Sequence, residues 1–230
     1  MANTQTLTGK RILIVGGGRG IGAEIARRAH AAGAEVMVGT RAPTGDTTRI
    51  DVLDEASIAA AAAQGGEIDH VVSTASAHHD VPITLLEYDE LVAAFAAKVF
   101  GPLLLAKHFA PCMRPGGSFL FFSGIVGWKP KPGTAVKGIA NGALEYTARH
   151  LAVEIAPLRV NVIAPGVVDS GAWDGLGAEG KAELLTRSAA GGLVGRHGSL
   201  DDVADAALWL LGAGYVTGET IHVDGGSRHR

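Results

Sequence analysis

The chain has 230 residues, 47% hydrophobic and 19% charged, with a formal net charge of −3 at pH 7; this fits one α/β domain over 1–230 with a sizeable core and excludes a disordered chain. A pI near 6.3 leaves no electrostatic footprint for nucleic acid, and the single cysteine, Cys112, excludes an intrachain disulfide and suits a reducing compartment. With neither a signal-peptide core nor an apolar run of membrane-spanning length, the expectation is a cytoplasmic protein without a membrane partner.

In chain order, RILIV (11–15) reads as a strand that breaks into glycines, followed by a helix over 21–32 closed by Gly33. Strands follow at 35–39 and 47–51, then an alanine-rich helix at 54–64 and a strand at 68–74. A long helix is predicted from Tyr88 to about Phe109, a solidly apolar strand at 118–123, and a second long helix at 134–155. A strand at 158–164, a helix at 201–211 and a strand at 219–223 complete the pattern. Strands separated by helices imply right-handed crossovers, so the fold class is α/β: a Rossmann-type, doubly wound parallel sheet of about seven strands with helices on both faces.

The glycine turn after the first strand is where chemistry first shows. Glycines let a backbone approach an anion closely, and the following helix aims its free N–H groups and positive dipole end at it. The spacing Gly16-x-x-x-Gly20-x-Gly22 differs from the G-x-G-x-x-G of many dinucleotide folds. By itself a turn of this kind serves a helix start as readily as a phosphate.

Three blocks in order, GGGRGIG (16–22), RVNVIAPGVVDS (159–170) and YVTGETIHVDGG (215–226), resemble the short-chain dehydrogenase/reductase family over nearly the whole length. The chain departs from it at Val15 and Ser170, where the family usually has threonine. The resemblance implies a dinucleotide held by Gly16, Gly18, Arg19, Gly20, Ile21 and Gly22. Thr74 and Ala75 would join them after the fourth strand, with Pro165, Gly166, Val168 and Ser170 after the sixth. It also places Asp51 as the acceptor for the adenine amino group, with Val52 beside it; a helix N-cap is the alternative role for Asp51. The second strand ends in Gly39-Thr40-Arg41 without the acidic residue that would bind a ribose 2′-hydroxyl. Arg41 and Arg19 can instead grip a 2′-phosphate, which favours NADP(H).

The family's usual catalytic set is an asparagine, a serine and a Tyr-x-x-x-Lys pair, and here all four positions differ. Aligned on FSGIVG, Gly124 stands for the serine, with Ser123 one residue earlier; Lys137 stands for the tyrosine, Asn141 for the lysine and Lys98 for the asparagine. The polar pair is exchanged rather than lost, which suggests a retained site with another arrangement. Lys137 is the candidate acid/base, its pKa open to lowering by Lys98 and the nicotinamide, and it can also bind a carboxylate or form an imine; a surface lysine is the plain alternative. Gly124 is expected to leave room for substrate, and Ser123 to point to the opposite face.

His78-His79-Asp80 offers a proton relay or an exposed loop, and its spacing suggests no metal site. Glu145 and Tyr146 read as packing or interface residues, and 172–180 resembles the family's substrate lid. By resemblance the two long helices pair into a homodimer or homotetramer, their alanines Ala93, Ala94, Ala97, Ala140, Ala143 and Ala148 allowing close approach. The expected function is NADP(H)-dependent hydride transfer to or from a small carbonyl/alcohol or imine/amine substrate. The alternatives are a cofactor-binding sensor or scaffold and a redox-neutral lyase or isomerase.

Overall fold

A computed structural model describes residues 7–77 and 79–230. The chain runs β1 (Arg11–Val15), α1 (Gly20–Ala31), β2 (Glu35–Thr40), β3 (Thr48–Arg49), α2 (Glu55–Gly65), β4 (Ile68–Ser73), α3 (Tyr88–Phe95), a π-helical turn (Ala96–Phe100) and α4 (Gly101–Phe109). It continues with β5 (Met113–Phe122), α5 (Ala135–Glu154), β6 (Arg159–Pro165), α6 (Gly177–Gly191), α7 (Leu200–Gly212) and β7 (Thr220–Val223). The strands form one seven-stranded sheet in the order β3-β2-β1-β4-β5-β6-β7, with every pairing parallel.

Alternation along each strand feeds two cores. Leu13, Val15, Phe119 and Phe121 pack with Ile58, Phe109 and Leu144 of α2, α4 and α5 on one face. Ile12, Ile14, Leu120 and Phe122 pack with Ile25, Val203 and Leu210 of α1 and α7 on the other. Such strands are buried on both sides, which is why their sequences read as nearly continuous apolar runs. Because Val15 pairs with Gly39 and Ser73, Phe122 with Ile163, and Pro165 with Val223, the strand ends line up along one rim.

Three local expectations are corrected, and one helix is added. The third strand shrinks to two residues, because it pairs only with the end of β2. The helix from Tyr88 carries a π turn at Ala96–Phe100, a bulge frequent at functional sites and one that periodicity does not reveal. The stretch at 172–180 leads into α6, a helix with no buried residue, so no apolar stripe marked it in the sequence. Finally, Ala94, Ala97, Ala140 and Ala148 are buried inside the chain, where they let the π turn, α3 and α5 approach one another. The exposed stripe on α5 is Ile139, Tyr146 and Val153, at heptad spacing.

Candidate functional site

Along the rim, β1 delivers the chain to Gly16, whose N–H donates to the Gly39 carbonyl at 2.8 Å. Gly16 has φ +82°, and a Cβ there would stand 2.6 Å from Thr74 Oγ1; one on Gly22 would lie 2.4 Å from the Gly16 carbonyl oxygen. The turn therefore tolerates only glycine at these two places. Arg19 is the N-cap of α1 and supplies no side-chain cap, and the first turn holds no acidic residue. The α1 N–H groups are thus left for an anion. Arg19 and Arg41 are exposed and enter no ion pair among the described residues. They flank one spot, since a Cβ on Gly18 would meet Thr40 Cγ2 at 3.2 Å. A glycine turn, an uncapped helix start and two unpaired guanidiniums fit a phosphorylated dinucleotide.

The remaining cofactor candidates divide. Thr74 Oγ1 donates to the Val15 and Gly16 carbonyls at 3.3 Å, so its hydroxyl secures the turn. Ile21 is half-buried against the α1–α7 core, and Ala75 packs on the opposite one. Pro165 ends β6, and Gly166 donates to the Val223 carbonyl at 3.0 Å. The Ser170 carbonyl lies 2.9 Å from where a Gly20 Cβ would be, bringing the post-β6 loop onto the glycine turn. Val52 and Val168 are buried in the cores, their side chains turned inward where the rim loops meet the helices, so their backbone groups are what they offer at the rim. Asp51 is not the N-cap of α2. Asp54 takes that role with bonds from Ala56 and Ser57, and Asp51 accepts from the Leu53 N–H at 3.0 Å.

The catalytic candidates gather at the end of β5. The π turn swings Lys98 inward, where it is 7% exposed and donates to the Phe122 carbonyl at 2.6 Å. Burial first, then the charge of Lys137, lower its pKa to about 8. Asn141 is buried; its Nδ2 makes a long 3.5 Å bond to the Gly124 carbonyl, while its Oδ1 has no partner among the described residues. Gly124 makes room for this side chain, since a Cβ on it would stand 3.2 Å from Asn141 Nδ2; a Cβ on Gly127 would likewise stand 3.3 Å from Asn141 Cβ. Lys137 is ion-paired with Asp80.

The Ser123 hydroxyl donates to Glu145 Oε1 at 2.9 Å. Trp128 Nε1 donates to the same carboxylate at 2.9 and 3.1 Å. Burial raises the Glu145 pKa against the pull of these donors. Trp128 in turn stands edge-on to His222 at 4.8 Å between ring centroids. Sequence reasoning missed this chain of contacts as part of the site. The signal was present: Lys137, Asn141 and Glu145 recur at i, i+4 and i+8 on α5 and share one face. His79 is a structural residue, buried and accepting the Glu87 N–H at 3.1 Å; His78 lies outside the described residues.

A hollow of about 400 Å³ beyond β6 and β7 is lined by Gly166, Arg196, His222 and Arg228 among others, away from the lysines. Among the described residues there is no group of three or more potential metal ligands, and no helix is long and apolar enough to cross a membrane.

Comparison with known proteins agrees with this geometry. The family model described as enoyl-(acyl carrier protein) reductase matches residues 15–228. The chain is 29% identical to the short-chain dehydrogenase/reductase ATR9 of Stachybotrys chlorohalonatus over 96% of this chain and 98% of that one. It is 30% identical to a cyclic-di-GMP-binding biofilm dispersal mediator protein of Escherichia coli over 95% and 97%. A small-chain dehydrogenase solved in complex with NADPH superimposes with a TM-score of 0.90 at 33% identity, covering 96% of this chain and 99% of that one.

Proposed function

The chain belongs to the short-chain dehydrogenase/reductase family of oxidoreductases, and from there we propose that it transfers hydride between NADP(H) and a small carbonyl or imine substrate, or the corresponding alcohol or amine. The observation that carries the cofactor choice is the pair of exposed arginines, Arg19 and Arg41, without an ion pair among the described residues and beside a glycine turn with no acid at the end of β2. A guanidinium pair stabilises a 2′-phosphate that a carboxylate would repel. When bound, NADPH supplies the hydride.

The chain's own residues do the rest. The turn and the α1 N–H groups hold the pyrophosphate. Lys98 has donors beyond the one given to Phe122, and Asn141 Oδ1 is an unused acceptor; together they order a ribose hydroxyl and a water. Lys137 donates the proton to the oxygen or nitrogen at the reacting carbon. A second copy of the chain covers Ile139, Tyr146 and Val153 in a homodimer or homotetramer.

Fluorescence titration with NADPH and NADH side by side tests the cofactor. NADPH is expected to bind at least about tenfold tighter, a difference of ~1.4 kcal/mol, and Arg41→Ala to remove most of that preference. Equal binding refutes the arginine argument. Label transfer from 4-deuterated NADPH to product, lost in Lys137→Ala with cofactor affinity kept, tests the chemistry.

One observation favours a second reading. Asp80 neutralises the only residue at the tyrosine position, and a relative is named for nucleotide binding, as a sensor without hydride chemistry would be. Cofactor binding without label transfer to any carbonyl or imine selects it.

A further inference from the structure

The Asp80 carboxylate sits on the Lys137 ammonium although the two are 57 positions apart in sequence. It comes from the loop after β4, which is anchored where buried His79 accepts the Glu87 N–H. The Lys137 side chain is 16% exposed and that of Asp80 39%, so the carboxylate covers the lysine from the solvent side. Among the described residues, the Asp80 side chain pairs with Lys137.

Charge explains why a carboxylate is there. Lys137 and the buried Lys98 are close enough for one charge to act on the other. The neighbouring acid on α5, Glu145, is buried and committed to Ser123 and Trp128. Asp80 is therefore the counter-charge that the structure shows for the lysine pair. A neutral ligand that displaced Asp80 would leave Lys137 uncompensated beside a second cation, in a partly desolvated place where such repulsion is costly. A ligand carboxylate would exchange one ion pair for another and release Asp80 to water.

We propose that Asp80 holds the place of a substrate carboxylate, and that the site takes a 2-oxo or 2-hydroxy acid whose carboxylate displaces Asp80 from Lys137. The carbonyl part of this inference rests on the hydride-transfer reading above. An ammonium has three donors, so Lys137 can hold the incoming carboxylate and still reach the oxygen on the adjacent carbon, the atom that gains or loses the proton. The loop bearing Asp80 then sets specificity: it competes with every ligand, and only a like-charged group replaces it without loss of charge balance.

The experiment uses oxamate, an unreactive mimic of a 2-oxo acid, and its neutral ethyl ester. Each is titrated calorimetrically into the full chain with and without saturating NADPH. Oxamate is expected to bind at least about tenfold tighter than the ester, ~1.4 kcal/mol. Asp80→Asn should tighten oxamate several-fold, Lys137→Met should abolish the discrimination, and Lys137→Arg should keep it. Equal affinities, weaker oxamate binding in Asp80→Asn, or no oxamate binding to that variant at tens of millimolar overturns the proposal. The two readings fail separately. Oxamate selectivity without NADPH binding removes the redox reading and leaves the carboxylate site, whereas NADPH binding without oxamate selectivity does the reverse.

Discussion

Replacing Lys98 by methionine should make the protein more stable and less active. Lys98 is buried, and its pKa falls from 10.5 to about 8, first by burial and then by the Lys137 charge. Each pKa unit corresponds to ~1.4 kcal/mol, so holding the ammonium charged in the fold costs on the order of 3 kcal/mol at neutral pH. Methionine removes that cost at similar volume but loses the bond to the Phe122 carbonyl, which contributes about 1–2 kcal/mol. The net gain is about 1–2 kcal/mol, or a Tm higher by roughly 2–8 °C at this chain length.

The pH dependence identifies the cause. The folded-state pKa of this lysine is depressed, so between about pH 8 and pH 10.5 the unfolded chain binds the proton that the folded one has released. Wild-type stability therefore gains on the variant with rising pH across that window, and the advantage of Lys98→Met shrinks and reverses. Urea unfolding of both proteins from pH 7 to pH 10.5 measures this, with label transfer from deuterated NADPH as the activity readout. A variant that is less stable at pH 7, or a difference that does not change with pH, would refute the reasoning.

Restoring the family's serine should destabilise the fold: Gly124→Ser places a Cβ 3.2 Å from Asn141 Nδ2, so the buried amide must shift. A loss of about 1–3 kcal/mol is expected, relieved by adding Asn141→Ala; an additive double mutant in chemical unfolding would show that the two do not touch. His70 on β4 is buried against Ser118, with Nδ1 to Oγ at 2.8 Å, and burial is the main cause lowering its pKa from 6.5 to about 4. Its neutral form belongs to the fold, so the associated stability is fully present above pH 6.5 and is lost as pH falls toward 4, by up to about 3 kcal/mol. His70→Asn should flatten unfolding free energy over that range, and an unchanged slope excludes His70 as the source.

The alternation of apolar runs and helical stretches determined the sheet, its parallel sense and the rim, because strands buried on both faces must read as apolar runs joined by crossovers. The glycine turn was legible for a similar local reason: the contacts that forbid a Cβ at Gly16 and Gly22 lie within the turn or at the end of the neighbouring strand. The face shared by Lys137, Asn141 and Glu145 was also written in the helical repeat. Side-chain partnerships across elements were not. The π turn buries Lys98 and so lowers its pKa, and the β4 loop brings Asp80 onto Lys137. Gly124 lies against Asn141, and four of the six alanines expected between subunits, Ala94, Ala97, Ala140 and Ala148, pack inside the chain. Each of these depends on desolvation or distance between segments far apart in sequence, quantities that exist only once the chain has folded.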